Sequence, residues 1–350
     1  MGLRRFRSSL RARIDGALDG VPGLISYLAF TSLERRAPAL ARRADELGQR
    51  VRGRKWLAGR AETECGPVDI AYLGSPDRLA RWFLDKLGAT SLRTEDAKLV
   101  PGEVLCDVEV SLFPATEASA WARAGWLVMP RYVRHRQPLL SAPLKFERHI
   151  EERVRASGIT LRLSRDAADL RRFQRDLYDP MLKRRHGDRA LRTGRALLRL
   201  GQRRGGLFIA EARGRPVSAA IGAPSAQRAA DLEIWALGVA ADASAHSALA
   251  PVLAWVHWAR EHGFTAVDHL ASLPLYSDGL TRQKLRWGTV LSEPSESREL
   301  LALRVRRTSS AVESWLGRHT FAARSARGIT PVDVHDPERL EAIARALAAG

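Results

Sequence analysis

An apolar helix between two strand patterns constrains the fold of this chain more than any other feature. The segment HSALAPVLAWVHWAREHG, residues 246–263, repeats apolar side chains at helical spacing and ends at Gly263. The strand pattern AADLEIWALGV (229–239) precedes this helix, and the pattern FTAVDHLAS (264–272) follows it. A strand–helix–strand run of this kind is a crossover connection, which places its two strands parallel in one sheet. We therefore predict a chain of the α/β class.

More strand patterns lie on either side of the crossover. LFIAEA (207–212) and PVSAAIGA (216–223) form a predicted hairpin with Gly214 in its turn. The strand patterns TVLSE and LLALRVR come later, after a short helix. Because a hairpin is antiparallel and a crossover is parallel, we predict an α/β (α+β) fold with a mixed sheet and flanking helices.

The charge of the chain favours acidic partners. The 350 residues include 57 Lys and Arg against 39 Asp and Glu, a formal net charge of +18. Such a field attracts nucleic acid, anionic lipid headgroups, coenzyme phosphates or an acidic glycan. A solvated, arginine-rich surface explains the same charge, and both interpretations stay open. Hydrophobic residues make up 45% of the chain, which excludes wholesale disorder.

Cysteine and histidine spacing predicts neither a disulfide framework nor a metal site. Cys65 and Cys106 are far apart and form no CxxC pair, and the nine histidines show no paired spacing of metal ligands. We therefore predict reduced, structural cysteines and no metal. No apolar run reaches the roughly 18 to 20 residues of a membrane span, so we predict a cytoplasmic protein.

The first 60 residues read as a basic segment with its own helix. Apolar residues on one face of that helix recur at spacings of three and four: Leu3, Phe6, Leu10, Ile14 and Leu18. A basic amphipathic helix can lie on an anionic membrane surface, which would make the protein peripheral on the inner membrane face. A helix packed against its own domain has the same pattern.

The length of the chain favours more than one domain. We predict four segments: a basic helical segment at 1–60, a mixed α/β domain at 61–160, a second α/β domain at 161–307, and a basic, helical tail at 308–350.

Two motifs carry a family resemblance. The pattern D-x-x-x-S-x-P-x-x-x-D-G-L-x-x-x-K-x-R-W-G spans residues 268–288, and LYDPMLKRRHG spans 177–187. With the order of elements over 206–307, these motifs resemble the FemAB-like branch of the GNAT acyltransferase superfamily, which includes CelD- or BioF2-like acetyltransferase domains. The resemblance implies two tandem GNAT-like domains, with 61–160 as a degenerate first copy.

The same resemblance implies an N- or O-acyltransferase whose donor lies where two parallel central strands splay apart, here 229–239 and 265–270. Acyl transfer needs a group that takes the proton of the nucleophile. Glu233 is the candidate general base, because burial among apolar neighbours raises the pKa of a carboxyl. Solvent exposure, or pairing with an arginine, is the alternative for Glu233. Glu211 and His269 are weaker candidates.

The donor-binding segment departs from the larger superfamily. Ordinary GNAT enzymes place Arg/Gln-x-x-Gly-x-Gly/Ala before the crossover helix, so that amides and the helix dipole hold the pyrophosphate. This chain has AADASAHSALAP there, with no glycine. We predict donor contacts from Val239, Ser244 and Ser247. Acyl-CoA is the expected co-substrate, and aminoacyl-tRNA is a second donor class, because FemAB-like transferases that use it share this absence.

Polar side chains gather after strand 265–270. Tyr276 and Asp278 are candidate catalytic residues, although Asp278 followed by a glycine also fits a helix N-cap. An anionic substrate group would need cations nearby, and the second motif adds further polar residues. The candidate substrate-binding residues are Lys284, Arg282, Tyr178 and His186.

We therefore predict an acyltransferase that moves an acyl or aminoacyl group from acyl-CoA, or a related activated donor, to an amine or hydroxyl. The acceptor would be a small metabolite, a peptide or a cell-envelope saccharide. The alternative is a non-catalytic GNAT-like scaffold or a nucleic-acid-binding protein that uses its basic surface, with tRNA as a candidate partner. The missing glycines favour the alternative, and the polar cluster at 276–286 favours the enzyme.

Overall fold

The computed structural model describes residues 55–74, 78–96, 106–140, 142–187, 192–226, 228–294 and 299–349. The predicted N-terminal amphipathic helix lies outside these ranges. The strands are β1 Lys55–Thr63, β2 Gly66–Gly74, β3 Ala89–Asp96, β4 Val108–Pro114, β5 Leu127–Pro130, β6 Val133–Pro138, β7 Thr160–Ser164, β8 Gly206–Ala212, β9 Arg215–Pro224, β10 Asp231–Val239, β11 Ala266–Ser272, β12 Val290–Ser292, β13 Glu299–Val305, β14 Thr320–Ser325 and β15 Gly328–Asp333. The α-helices are α1 Arg78–Lys86, α2 Ala118–Arg123, α3 Lys145–Ala156, α4 Ala167–Arg172, α5 Asp179–His186, α6 Arg195–Arg204, α7 Ala245–Glu261, α8 Gly279–Leu285, α9 Ser310–Leu316 and α10 Pro337–Ala349.

The described chain forms two compact units. The continuous unit contains the described residues of 138–268, and the split unit contains those up to 137 and those from 269 onward. This division differs from the predicted segments 61–160 and 161–307, because β13 pairs antiparallel with both β4 and β5 and so joins distant parts of the chain. The predicted tandem copy stays a prediction.

The continuous unit has a mixed sheet, which confirms the predicted fold class. β7, β8, β9 and β10 pair antiparallel in that order, and β11 pairs parallel with β10. The parallel pair is joined by α7, as the strand–helix–strand pattern predicts. Ser244 caps the start of α7, and Gly263 follows its end with a φ of 75°. The predicted hairpin turn is also confirmed, with Gly214 at a φ of 72°.

Helices cover both faces of this sheet. On one face, Gly201 of α6 lies so close to Ile221 and Trp235 that an added Cβ would stand 2.9 and 3.0 Å from their side chains. On the other face, a Cβ at Gly222 of β9 would meet the Trp255 ring of α7 at 2.5 Å. Glycine at these positions therefore sets how closely the helices pack on the sheet.

A π-helical turn, Phe173–Tyr178, connects α4 and α5. Asp166 caps the start of α4, and Pro180 lies in the first turn of α5, directly after the widened turn. Gly238 of β10 makes room for the turn, since a Cβ there would lie 2.7 Å from the Phe173 ring and 2.8 Å from the Tyr178 amide. The turn therefore rests directly on the backbone of the central strand.

The split unit contains a six-stranded sheet in the order β3-β1-β2-β4-β13-β5. Within it, β2 and β4 are parallel and the other neighbours are antiparallel. β12 pairs antiparallel with β6, and β14 with β15. The predicted tail at 308–350 contributes Trp315 and Phe321 to the hydrophobic core of this unit, together with Leu57 and Phe83. Across the described ranges, no helix is both long enough and apolar enough to cross a membrane.

Candidate active site

The central strand of the continuous unit loses its parallel partner halfway along. Residues Asp231–Glu233 of β10 pair with Ala266–Asp268 of β11. In the described chain, residues 234–239 of β10 pair with β9 alone. A bulge interrupts that antiparallel ladder between Ile234 and Ala236. Bulges of this kind re-aim side chains and end strand pairing, and they are common beside active sites.

The predicted general base lies at the last paired position of β10. Glu233 is 4% exposed, and its carboxylate accepts hydrogen bonds from Ser225 Oγ at 2.9 Å and Trp235 Nε1 at 3.1 Å. Its register partner on β11 is Asp268, which is also buried. Paired neighbours project to the same face of a sheet, so two acidic residues occupy adjacent positions where the parallel pairing ends.

The predicted donor-binding residues lie at the end of β10 and the start of α7. Val239 is buried, and its carbonyl accepts a hydrogen bond from Arg184 at 2.9 Å. Ser244 Oγ accepts from the Ser247 amide at 3.1 Å, and Ser247 Oγ donates to the Ser244 carbonyl at 2.9 Å. The two hydroxyls therefore cap their own helix. Without glycine, this turn still presents the first amides of a 17-residue helix.

The other predicted residues of this unit lie on the helix layer next to β10. The Tyr178 hydroxyl accepts a hydrogen bond from the Thr193 amide at 2.8 Å, and the Thr193 hydroxyl donates to the Trp235 carbonyl at 3.4 Å. Tyr178 thereby links the π-helical turn to the bulged strand. His186 is half-buried in the basic last turn of α5, two residues after Arg184, which binds the Val239 carbonyl.

In the split unit, the predicted catalytic residues Tyr276 and Asp278 precede and cap α8. Tyr276 packs beside Val133, and burial raises the pKa of its hydroxyl. The carboxylate of Asp278 accepts from the amides of Leu280 at 3.0 Å and Thr281 at 3.4 Å, which confirms the predicted N-cap. It also forms an ion pair with Lys86 at 2.9 Å. Asp278 is thus engaged in holding the start of α8.

The two predicted cations on α8 have different surroundings. Lys284 Nζ donates to the carbonyls of Leu270 at 3.1 Å and Ala271 at 2.8 Å. Leu270 has a φ of 58°, a left-handed conformation that is costly for a residue with a Cβ. Lys284 therefore clamps a strained bend at the end of β11. Arg282 is exposed, and its guanidinium makes no hydrogen bond or ion pair with described residues.

Sequence reasoning missed a buried network centred on His135. His135 Nδ1 lies 3.1 Å from Thr289 Oγ1, and Nε2 lies 2.7 Å from Ser272 Oγ. The Thr289 hydroxyl donates to the Lys284 carbonyl at 3.1 Å, so it accepts from His135 Nδ1–H. Ser272 therefore donates to Nε2, and its oxygen lies 2.8 Å from that of Thr281.

Burial is the main cause that lowers the pKa of His135 to about 2, with the charge of Lys284 second. The imidazole is therefore neutral at physiological pH. His269, a weaker candidate base, has a pKa lowered to about 3 by burial and then Lys284, and its Nε2 donates to Gln137 Oε1 at 2.8 Å. Only the spacing of Ser272 within the 268–288 motif hinted at this network, because His135 lies far away in the sequence.

The predicted residues thus form two groups, one in each unit. In the continuous unit, Glu233 and Val239 lie on the bulged strand β10, and Tyr178 is connected to it through Thr193. In the split unit, Asp278 caps α8 and Lys284 lies on it. Their assignment to catalysis or substrate binding stays a prediction. No cluster of three or more metal-ligating side chains occurs in the parts of the chain that the structure describes.

No protein-family model matches this chain, and no curated protein is a significant match. Several solved structures are similar. L-PGS from Bacillus licheniformis is 15% identical with a TM-score of 0.39, and the match covers 73% of this chain and 82% of that one. FemX is 13% identical with a TM-score of 0.38, covering 69% and 82%. A GCN5-related N-acetyltransferase from Sphaerobacter thermophilus is 15% identical with a TM-score of 0.31, covering 73% and 78%.

None of the three TM-scores exceeds 0.39 and none of the identities exceeds 15%. No assignment of substrate, donor or catalytic residue follows from these similarities.

Proposed function

We propose that this protein is an acyltransferase that moves an acyl or aminoacyl group from acyl-CoA, or a related activated donor, to an amine or hydroxyl. A small metabolite, a peptide or a cell-envelope saccharide would be the acceptor. The observation that supports this proposal most is the central strand β10, whose parallel pairing ends at Glu233 and whose ladder is bulged at the next residues.

This backbone suits an extended acyl donor. Beyond Glu233, residues 234–239 have no parallel partner in the described chain, so an extended arm can pair with this edge as an added strand would. Amides on such an edge can also face an oxyanion that develops on the donor carbonyl. The amides at the start of α7 follow within a few residues and favour an anionic group of the donor.

Glu233 is the proposed acceptor of the nucleophile's proton. Its two oxygens are already oriented by Ser225 and Trp235, which would hold the carboxylate in one position during the reaction. Substitution of a general base typically lowers turnover by about 10²- to 10⁴-fold.

Donor binding tests the proposal first. We expect saturable binding of acetyl-CoA, a longer acyl-CoA or a charged tRNA in titration calorimetry, and the donor that binds identifies the donor class. Uncharged tRNA and free CoA are the matched controls, because they carry the same phosphates without an acyl group. If neither acyl-CoA nor the charged tRNA binds saturably, the proposal is wrong.

Glu233→Gln then tests the base. The amide can face Ser225, whose hydroxyl is able to turn and accept, while the amide oxygen accepts from Trp235. The fold is therefore expected to persist while turnover with the bound donor drops about a hundredfold or more. Glu211→Gln, at a half-buried carboxylate that pairs with Arg162, is the control and should keep full turnover. Wild-type turnover in Glu233→Gln would remove this residue from the chemistry.

A non-catalytic, basic-surface protein is the second candidate. One observation favours it: in the split unit the predicted catalytic side chain Asp278 and the predicted anion ligand Lys284 are both bound to their own backbone or to a structural partner. Binding of uncharged tRNA as tight as that of charged tRNA, without turnover of any acyl donor, would support this candidate.

Membrane association is proposed separately for the N-terminal segment. Deletion of residues 1–30 should release the protein from vesicles that contain anionic lipid, because a basic amphipathic helix binds through its charge and its apolar face. Equal vesicle binding before and after the deletion would contradict the proposal.

A further inference from the structure

A pocket opens in the continuous unit between the π-helical turn and the β8–β9 hairpin, and we call it the hairpin pocket. Its volume is about 330 Å³. Its apolar floor is formed by Phe173, Leu177, Ile209 and Ala219, all of which are buried. Its charged rim is formed by Asp169, Arg172, Arg175, Asp176 and Arg215. A small cavity with an apolar floor and a few polar groups is typical of ligand sites.

Two irregular backbone segments border the hairpin pocket. One is the π-helical turn, and π-helical turns are frequent at functional sites. The other is a bulge in the hairpin, where Ala210 pairs with Ser218 but Glu211 pairs with Pro216. The turn packs against Gly238 of β10, and the pocket lies between the turn and the hairpin residues Ile209 and Ala219.

The rim carries three arginines against two aspartates, and both aspartates are already paired. Asp169 binds Arg162 through contacts of 2.6 and 3.3 Å, and Asp176 binds Arg175 at 2.6 and 2.7 Å. The hydrogen bond from Arg162 is the main cause that lowers the pKa of Asp169, and Arg175 lowers the pKa of Asp176 in the same way. Neither carboxylate therefore needs a cation from a ligand.

Two guanidinium groups are left on the rim. Arg172 reaches Asp169 only at 3.9 Å, and its side chain is 67% exposed. Arg215 is exposed and makes no hydrogen bond or ion pair with described residues. Guanidinium groups bind carboxylates and phosphates through parallel, charge-assisted hydrogen bonds.

We propose that the hairpin pocket binds an amphiphilic anion, namely a carboxylate or phosphate headgroup on a short aliphatic chain. The chain fills the space over Ile209 and Ala219, and the headgroup meets Arg172 and Arg215. This site is distinct from the edge of β10, and its occupancy does not depend on acyl transfer.

Calorimetric titration of the full chain with octanoate tests this site. We expect saturable binding of one octanoate per chain, and binding at least tenfold weaker for 1-octanol, which has the chain without the charge. The affinity of octyl phosphate, compared with that of octanoate, shows whether the pocket prefers a phosphate or a carboxylate headgroup. No saturable binding of either anion, or equal binding of 1-octanol, would overturn the proposal.

Variants then locate the bound anion. Arg215→Ala should weaken octanoate roughly tenfold, and the double variant with Arg172→Ala should weaken it further, because each removes a charge-assisted contact. Arg171→Ala is the matched control, since Arg171 is exposed on the same helix but does not line the pocket. Ala219→Leu should prevent octanoate binding, because the larger side chain fills the space of the aliphatic chain. Arg215→Glu should weaken octanoate binding through charge alone, because the exposed side chain of Arg215 leaves the packing of the pocket floor unchanged. Unchanged affinity in both the double variant and Arg215→Glu would place the anion elsewhere and overturn the proposal.

Discussion

The two units of this protein use polar residues in opposite ways. In the continuous unit, Glu233 and Tyr178 are sparse polar groups beside an irregular backbone, at the bulge of β10 and in the π-helical turn. In the split unit, most polar side chains of the 268–288 motif have structural roles. Asp278 caps α8, Lys284 binds backbone carbonyls of β11, and Ser272 belongs to the buried network around His135. A dense run of polar residues can therefore indicate a strained backbone segment that needs hydrogen bonds as readily as it indicates an active site.

The difference has an energetic basis. A buried polar group is costly unless every hydrogen bond is made, and a satisfied network fixes one backbone conformation. His135, Ser272, Thr281 and Thr289 satisfy one another beneath α8, where Leu270 holds a left-handed conformation. We expect substitutions there to change stability, whereas Glu233→Gln should change turnover.

Acidification should produce the largest effect, and in the split unit. Burial lowers the pKa of His135 to about 2, of His269 to about 3 and of His319 to about 4, from an ordinary value of 6.5. As the pH falls below 6.5, the unfolded chain takes up these protons before the folded chain does. The stability contributed by the neutral imidazoles is full above pH 6.5 and is lost toward the folded pKa values, by up to about 1.4 kcal/mol per pH unit for each histidine.

Urea unfolding between pH 7 and pH 5 measures this loss, and exchange of backbone amides assigns it to a unit. Amides of β4 and β13 should lose protection before those of β8 and β9. His319→Gln should reduce the slope without disturbing the His135 network, because His319 lies in another part of the split unit. Equal loss of protection in the two units would contradict the comparison.

Local signals in the sequence predicted much of the continuous unit. Gly214 marks the hairpin turn and Gly263 ends α7, because each acts on its immediate neighbours. In the split unit, Asp278 with Gly279 marks the start of α8 in the same local way. The alternation and helical spacing around α7 were enough to predict parallel β10 and β11.

Non-local pairing was not predictable in the same way. β13 joins β4 and β5 across long stretches of chain, which makes the unit boundaries differ from those read along the sequence. The Ser272–His135 contact joins positions 137 residues apart. The bulge in β10 depends on the register of two strands, and single-sequence periodicity does not encode register.

Lys284→Ala should be the most destabilising of the single substitutions on α8. The change removes charge-assisted hydrogen bonds to the carbonyls of Leu270 and Ala271, at a cost of about 3 kcal/mol in the free energy of unfolding. Arg282→Ala is the matched control and should cost less than about 0.5 kcal/mol, because Arg282 is exposed. Chemical denaturation of both variants measures this difference. Equal free energies of unfolding would show that the hydrogen bonds from Lys284 to Leu270 and Ala271 do not stabilise the fold.

Asp278→Ala should cost about 2 kcal/mol, since it removes the N-cap of α8 and the partner of Lys86. Asp278→Asn keeps a side-chain oxygen for the cap and loses only the charge, so it should cost about half as much. Lys86→Met isolates the ion pair from the other side. If Asn and Ala were equally destabilising, the ion pair and not the cap would hold the start of α8.

The smallest expected effect concerns the strained bend that Lys284 holds. Leu270 is half-buried with a φ of 58°, so Leu270→Ala loses side-chain packing but keeps the strain, whereas Leu270→Gly loses the same packing and relieves it. The glycine variant should therefore be more stable than the alanine variant by about 0.5–1 kcal/mol, the reverse of the usual order within a strand. In the Leu270→Gly background, Lys284→Ala should also lower the free energy of unfolding by less than it does in the wild type. Glycine adopts the left-handed conformation without strain, so the hydrogen bonds from Lys284 are less needed to hold it. Thermal unfolding of the wild type, Leu270→Ala, Leu270→Gly, Lys284→Ala and the Leu270→Gly/Lys284→Ala double variant measures both differences. Alanine as stable as glycine at position 270 would mean that the bend carries no strain, and the polar crowding of the split unit would then need a functional explanation like that of the continuous unit.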